Sequence, residues 1–151
     1  MKNNYWKKGR GKLGILTPLL GKWIHEGDSP MGKVQCTREF KSILGGNYIE
    51  LNAIWKFSAK TYEEHAVIGV DEKTITFWSF TSDGKKSTGQ LADGTDVHPE
   101  AICFEAQMPA GLARMVYWPD PENGFRWAVE SKNKNGWNRF TEHHYQPLQP
   151  S

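Results

Sequence analysis

The sequence is poor in cysteine, with two residues in 151, and it has no long hydrophobic run. Cys36 and Cys103 cannot form a disulfide framework or a zinc site built mainly from thiolates. The apolar stretch at residues 13–20 contains glycine and proline, and it falls short of the roughly 18 residues that a membrane-spanning helix needs. No small-x-small cleavage site follows it. We therefore expect a cytoplasmic protein without membrane insertion, whose thiols stay reduced.

The motifs of common catalytic and metal sites are also missing. The sequence has no Gly-x-Ser-x-Gly, no P-loop, and no Gly-x-Gly-x-x-Gly after a predicted strand. His143 and His144 are neighbours on a predicted strand and point to opposite faces, so they cannot bind one metal together, and we predict no metal site. Four acids could still pair with His25 or His65 for general acid–base catalysis, although no spacing selects them: Glu50, Glu64, Glu105 and Glu130.

Positive charge is concentrated at the N-terminus. Residues 1–12 carry five basic side chains and no acid, although the formal charge of the chain is only +2. The remaining residues hold 14 basic and 17 acidic side chains, a net charge of −3. Such a body lacks the clustered Lys and Arg that neutralise phosphates, so we expect no nucleic-acid partner. Residues 1–12 are predicted to be a flexible basic tail before one domain at 13–151.

Aromatic residues are abundant, with seven Trp, seven Phe and five Tyr, and this content excludes a disordered chain. Helical character is limited to a short turn at residues 13–20. The rest of the sequence alternates polar with apolar, aromatic or β-branched residues, in segments separated by turn residues such as Asp83-Gly84. Ten strands are predicted, at residues 21–28, 33–44, 47–57, 63–70, 74–81, 86–91, 101–108, 112–118, 124–132 and 136–146.

Short connections between these strands favour antiparallel neighbours in simple up-and-down order. Ten such strands would leave two exposed edges unless the sheet closes on itself. The sequence therefore predicts an all-β protein: a closed antiparallel up-and-down barrel of about ten strands with a short N-terminal helical turn. A two-sheet sandwich is the alternative architecture.

The first predicted strand begins Gly21-Lys22-Trp23, and the last begins Gly136-Trp137-Asn138-Arg139. This pattern resembles the calycin superfamily, which includes the lipocalins and the fatty-acid-binding proteins. Residues 44–50 and 67–71 are similar to an uncharacterised bacterial lipocalin-like family of unknown function. The resemblance implies a calycin-like barrel that holds a small ligand. It also implies that Trp23 closes one end and that Arg139 lies across its indole, where a cation–π contact contributes about 0.5–2 kcal/mol.

Strand alternation supplies the candidates for a ligand site. Cys36, Arg38 and Phe40 share a face of the second strand whose apolar character places it inside the barrel. A cation in an apolar lumen is costly unless it is paired. Arg38 could grip the carboxylate of an acidic ligand, while an internal ion pair with a glutamate or an outward register remain open. The candidate ligand-binding residues are Arg38, His25, Phe40, Trp55, Trp78, Tyr117 and His143, and the candidate barrel-closing residues are Gly21, Trp23 and Arg139.

Alternation on the last strand predicts one shared face for Trp137, Arg139, Thr141, His143 and Tyr145. His143 could then look into the lumen. Nitrobindin-like barrels hold haem through a histidine, so haem at His143 is an alternative to the main expectation of no cofactor. The expected function is binding of a small hydrophobic or acidic ligand in an aromatic-lined cavity. The alternatives are an enzyme acting on a hydrophobic small molecule in that cavity and a haem-binding barrel.

Overall fold

Ten antiparallel strands close into a barrel in the computed structural model, which describes residues 6–148. Each strand pairs with its neighbours along the chain, and β1 pairs with β10 to complete the ring. Two short 3-10 helices, Gly14–Leu19 and Leu44–Gly46, precede β1 and β3. The strands are β1 Gly21–Ser29, β2 Gly32–Ile43, β3 Tyr48–Phe57, β4 Thr61–Asp71, β5 Thr74–Thr81, β6 Lys86–Ala92, β7 Ile102–Met108, β8 Gly111–Pro119, β9 Phe125–Asn133 and β10 Gly136–Pro147. The predicted closed up-and-down barrel and its N-terminal helical turn are confirmed.

The alternation of buried and less buried residues along β2 shows how the sequence builds the barrel wall. Cys36, Arg38 and Phe40 are buried, whereas Thr37 and Glu39 between them are partly exposed. The predicted inward face of this strand is therefore confirmed. Both cysteines are buried and unbonded, and burial raises the pKa of each thiol to about 12.

The first 3-10 helix packs at one end of the barrel, around Trp23. The indole Nε1 of Trp23 donates a 2.8 Å hydrogen bond to the carbonyl of Leu19, and its ring meets Phe125 edge-on at 4.8 Å. Gly21 connects helix and strand at a φ of +126°, which a side chain would strain. Trp6 also packs on Phe125, at 6.3 Å, so part of the segment expected to be flexible contacts the barrel, while residues 1–5 lie outside the described residues.

A β-bulge at Phe140 changes which residues of β10 face inward. The pairing with β9 shifts between Arg139 and Thr141, which leaves Phe140 without a partner on β9 and 60% exposed. Beyond the bulge His143 pairs with inward-facing Trp127, but Arg139 pairs with Glu130 on the outer face. The predicted common face of this strand is therefore wrong for the residues before the bulge, because an extra residue resets the alternation. Within residues 6–148, no helix combines the length and the hydropathy that crossing a bilayer requires.

Candidate functional site

A cavity of about 650 Å³ lies within the barrel, toward the end formed by the β5–β6 and β7–β8 hairpins. Lys85, Lys86 and Gly111 contribute to its wall at that end. Deeper in the barrel, the wall is mainly aromatic and aliphatic. Its larger apolar members are Trp55, Phe77, Phe104, Met115, Trp127 and Val129.

Glu64 is the carboxylate of the cavity wall, and it lies on β4. Its Oε2 accepts a 2.6 Å hydrogen bond from the hydroxyl of Ser79, which also lines the cavity. Its Oε1 lies 3.8 Å from Nη2 of Arg38, close enough for an ion pair but longer than a hydrogen bond. The Glu64 side chain remains 15% exposed, whereas that of Arg38 is fully enclosed. Of these two charged groups, the acid is therefore the one in contact with open space.

Arg38 is enclosed by aromatic rings behind this wall. Its guanidinium carbon lies 4.7 Å from the ring centre of Trp127 and 5.7–5.8 Å from those of Trp55, Tyr117 and Tyr145. Its Nη2 donates a 3.0 Å hydrogen bond to the hydroxyl oxygen of Tyr117, and burial raises the pKa of this phenol. Nε and Nη1 of Arg38 have no hydrogen-bond partner within residues 6–148. Charge compensation here comes from Glu64 and from the ring faces.

A stacked pair of histidines joins β1 to β10, two strands that pair directly at two positions within residues 6–148. The rings of His25 and His143 lie 4.1 Å apart and 8° from parallel. Nδ1 of His25 is 3.0 Å from the backbone nitrogen of His144, and Nδ1 of His143 is 3.0 Å from the hydroxyl oxygen of Tyr145. Burial, together with the smaller effects of nearby His25 and Arg38, lowers the pKa of His143 to about 3. His143 is therefore neutral at pH 7.

We expect the barrel to lose stability as the pH falls from 6.5 toward 5. In that window His143 binds a proton in the unfolded chain, with an ordinary pKa of 6.5, but not in the folded chain. The free energy of unfolding should fall by part of the roughly 1.4 kcal/mol per pH unit that a fully enclosed histidine would give. Urea unfolding at several pH values in this window should show that the free energy of unfolding depends less steeply on pH in His143→Gln than in the native protein. Exposed His65→Gln is the control, and an unchanged slope in His143→Gln would contradict the assignment.

The surroundings of His143 do not fit a haem. His25 covers one face of its ring, and Trp127 packs against it at 4.9 Å. Within the described part of the chain, neither histidine belongs to the cavity wall. A haem plane beside His143 would require both neighbours to move. Residues 6–148 contain no group of three or more His, Cys, Asp or Glu side chains that could hold a metal ion.

Trp78 faces the outside of the barrel and does not line the cavity, where the sequence analysis expected a ligand-binding residue. Its neighbour Phe77 takes the inward position and lines the cavity. Trp78 pairs on the opposite face with Val67 and with exposed Thr88. Two adjacent aromatic residues on a strand must face opposite ways, and the sequence alone does not say which of them faces in.

The other aromatic candidates occupy inward positions. Trp55 is part of the cavity wall. Phe40 and Tyr117 are buried and meet edge-on at 5.8 Å, on the side of the barrel core that holds Arg38. The structure thus brings Arg38, Trp55 and Tyr117 together, although their predicted contact with a ligand remains a prediction.

Arg139 does not lie over Trp23, and this barrel-closing prediction is wrong. Its guanidinium carbon lies 5.0 Å from the ring centre of Trp118, and its Nε donates a 2.8 Å hydrogen bond to Glu130. Trp23 is opposite Pro147, at the other end of β10. The bulge in β10 turns Arg139 outward, and its position along the strand separates it from the closed end.

Glu64 is the site residue that the sequence did not single out. It was one of four acids without a distinguishing spacing. Alternation along β4 places it on the same face as Ala66 and Ile68, both of them buried. That pattern is the signal that could have selected it.

No family model matches this chain, and no curated protein matches it either. The fold and the site define its class from geometry alone. It is a closed ten-stranded β-barrel with a buried aromatic cluster around an enclosed cation.

Proposed function

We propose that this protein is a small-molecule-binding barrel that holds a hydrophobic ligand in its cavity. The observation that carries the proposal is a cavity of about 650 Å³ with a mainly apolar wall. Ligand pockets typically measure about 300–1,000 Å³ and combine an apolar lining with a few polar groups. The resemblance to calycin barrels supports the same function, since members of that superfamily enclose small apolar molecules.

Of the hydrophobic and acidic ligands that the sequence left open, the geometry favours the hydrophobic one. Arg38, the predicted anchor for an acid, has no exposed side-chain surface. A ligand carboxylate in the deeper part of the cavity would meet partly exposed Glu64 before it reached enclosed Arg38, and Glu64 would repel it. Direct contact between Arg38 and a ligand would require part of the cavity wall to move.

Nile red, a neutral apolar dye, is expected to bind the native protein with increased fluorescence. Ala113 lines the cavity opposite Ala106 on the neighbouring strand, so a larger side chain there would fill the space. We expect Ala113→Phe to weaken Nile red binding at least tenfold in a fluorescence titration. Circular dichroism would verify that the variant keeps its strands.

Thr88→Phe is the matched control, because it adds the same ring at an exposed position on β6. It should leave Nile red binding within about twofold of the native value. The proposal fails if the native protein does not bind the dye, or if both variants bind it as the native protein does.

A further inference from the structure

We propose that the ligand donates a hydrogen bond to Glu64, and that it is a neutral apolar molecule with a hydroxyl or N–H group at its buried end. This inference rests on the proposed function, because it concerns the same cavity. It assigns the polar contact to the acid rather than to the enclosed arginine.

The unused acceptor capacity of Glu64 supports this assignment. An ionised carboxylate offers about four lone-pair sites. Within residues 6–148 the carboxylate of Glu64 accepts one hydrogen bond, from Ser79, while Arg38 stays 3.8 Å away. The remaining acceptor sites belong to a side chain that is partly exposed in the cavity wall. A buried acceptor is stabilised when a donor occupies it, and an apolar ligand with one donor would do this.

Two hydrogen-bond donors of the surrounding core, the hydroxyl of Tyr117 and Nε1 of Trp127, cannot contact a ligand in the cavity without a rearrangement. Tyr117 is buried, and its hydroxyl already donates a hydrogen bond to Sδ of Met115 at 3.9 Å. Nε1 of Trp127 lacks a partner within the described range, but that atom is itself buried. These two donors are therefore closed to a ligand that carries only acceptors, whereas the carboxylate of Glu64 is open to a ligand donor.

Charge around the cavity favours a neutral donor over a cationic one. Arg38 already compensates the carboxylate of Glu64, so a ligand ammonium would add an unbalanced positive charge in a region of low dielectric. Lys85 and Lys86 repel a cation at the hairpin end of the cavity. A ligand carboxylate would place a second negative charge against Glu64.

Three compounds of matched shape test the inference on the native protein: 2-naphthol, 2-methoxynaphthalene and 2-naphthoate. The first has a hydroxyl donor, the second has an acceptor only, and the third is an anion at pH 7. We expect 2-naphthol to displace Nile red at a concentration at least tenfold lower than the other two require. Equal potency of all three would overturn the hydrogen bond to Glu64. Tightest binding of 2-naphthoate would overturn it in favour of a contact between the ligand and a cation, either Arg38 or the lysines at the hairpin end.

A double variant, Arg38→Met with Glu64→Leu, removes the acceptor without leaving the arginine unpaired. We expect this variant to bind 2-methoxynaphthalene with an affinity within about threefold of that of the native protein. We expect it to bind 2-naphthol no more tightly than it binds 2-methoxynaphthalene. A preference for 2-naphthol that survives in this variant would overturn the inference. If the inference alone fails, the native protein will still bind Nile red and Ala113→Phe will still weaken that binding. If the proposed function fails, neither result will be seen.

Discussion

Replacing Trp23 with alanine is expected to lower the free energy of unfolding by about 3–5 kcal/mol, as for other buried large-to-small changes. The Trp23 ring is 8% exposed and packs on Phe125. Its indole N–H also holds the carbonyl of Leu19, so the variant would loosen the end of the first 3-10 helix from the barrel. Urea unfolding followed by circular dichroism would measure the loss.

Trp78→Ala is the matched control, because it removes the same side chain from the outer face of β5. We expect it to cost less than half as much as Trp23→Ala. Trp23→Phe should fall between the native protein and Trp23→Ala, since it keeps an aromatic ring but loses the hydrogen bond to Leu19. Equal costs for the two alanine variants would mean that the helix contributes little to closing this end.

The architecture could be predicted because it depends on local signals. Alternation along β2 marks Cys36, Arg38 and Phe40 as one face, and short turns join each strand to the next. A succession of antiparallel strands with two free edges has a strong physical reason to close. None of these arguments requires knowledge of which residues meet across the barrel.

The errors arose where a local pattern has two solutions. Phe77 and Trp78 are both good strand residues, and only the pairing with β4 and β6 shows that Phe77 faces the cavity. A bulge such as that at Phe140 leaves no reliable mark in a single sequence, yet it reverses the face of every residue on one side of it. Arg139 was misplaced for this reason.

The site depends on distances that alternation cannot supply. Alternation could place Glu64 inside the barrel, but its position along the barrel axis depends on the register of β4 against β3 and β5. That register brings it to the cavity wall in front of Arg38, with Ser79 as its hydrogen-bond donor. The sequence left open an internal ion pair between Arg38 and a glutamate, and the structure identifies Glu64 as that partner.

Glu64→Leu is expected to lower the free energy of unfolding by about 3–5 kcal/mol, since it leaves the enclosed Arg38 without a carboxylate. Arg38→Met should cost less, because Glu64 keeps its hydrogen bond from Ser79 and is exposed enough in the cavity for water to solvate it. The double variant Arg38→Met with Glu64→Leu should lie within about 1 kcal/mol of the native protein. It removes two desolvated charges together, along with two guanidinium nitrogens that have no partner within residues 6–148.

Urea unfolding of the four proteins forms a double-mutant cycle, for which we expect a coupling of at least about 2 kcal/mol. Asp83 and Lys85 form a control pair at a similar separation, 4.0 Å, on an exposed turn. Their cycle, with Asp83→Leu and Lys85→Met, should give a coupling below about 1 kcal/mol because solvent screens the charges. Costs that simply add for Arg38 and Glu64 would show that the rings of Trp127 and its neighbours, rather than the acid, compensate the buried cation. In that case Glu64 would be free to pair with a ligand cation.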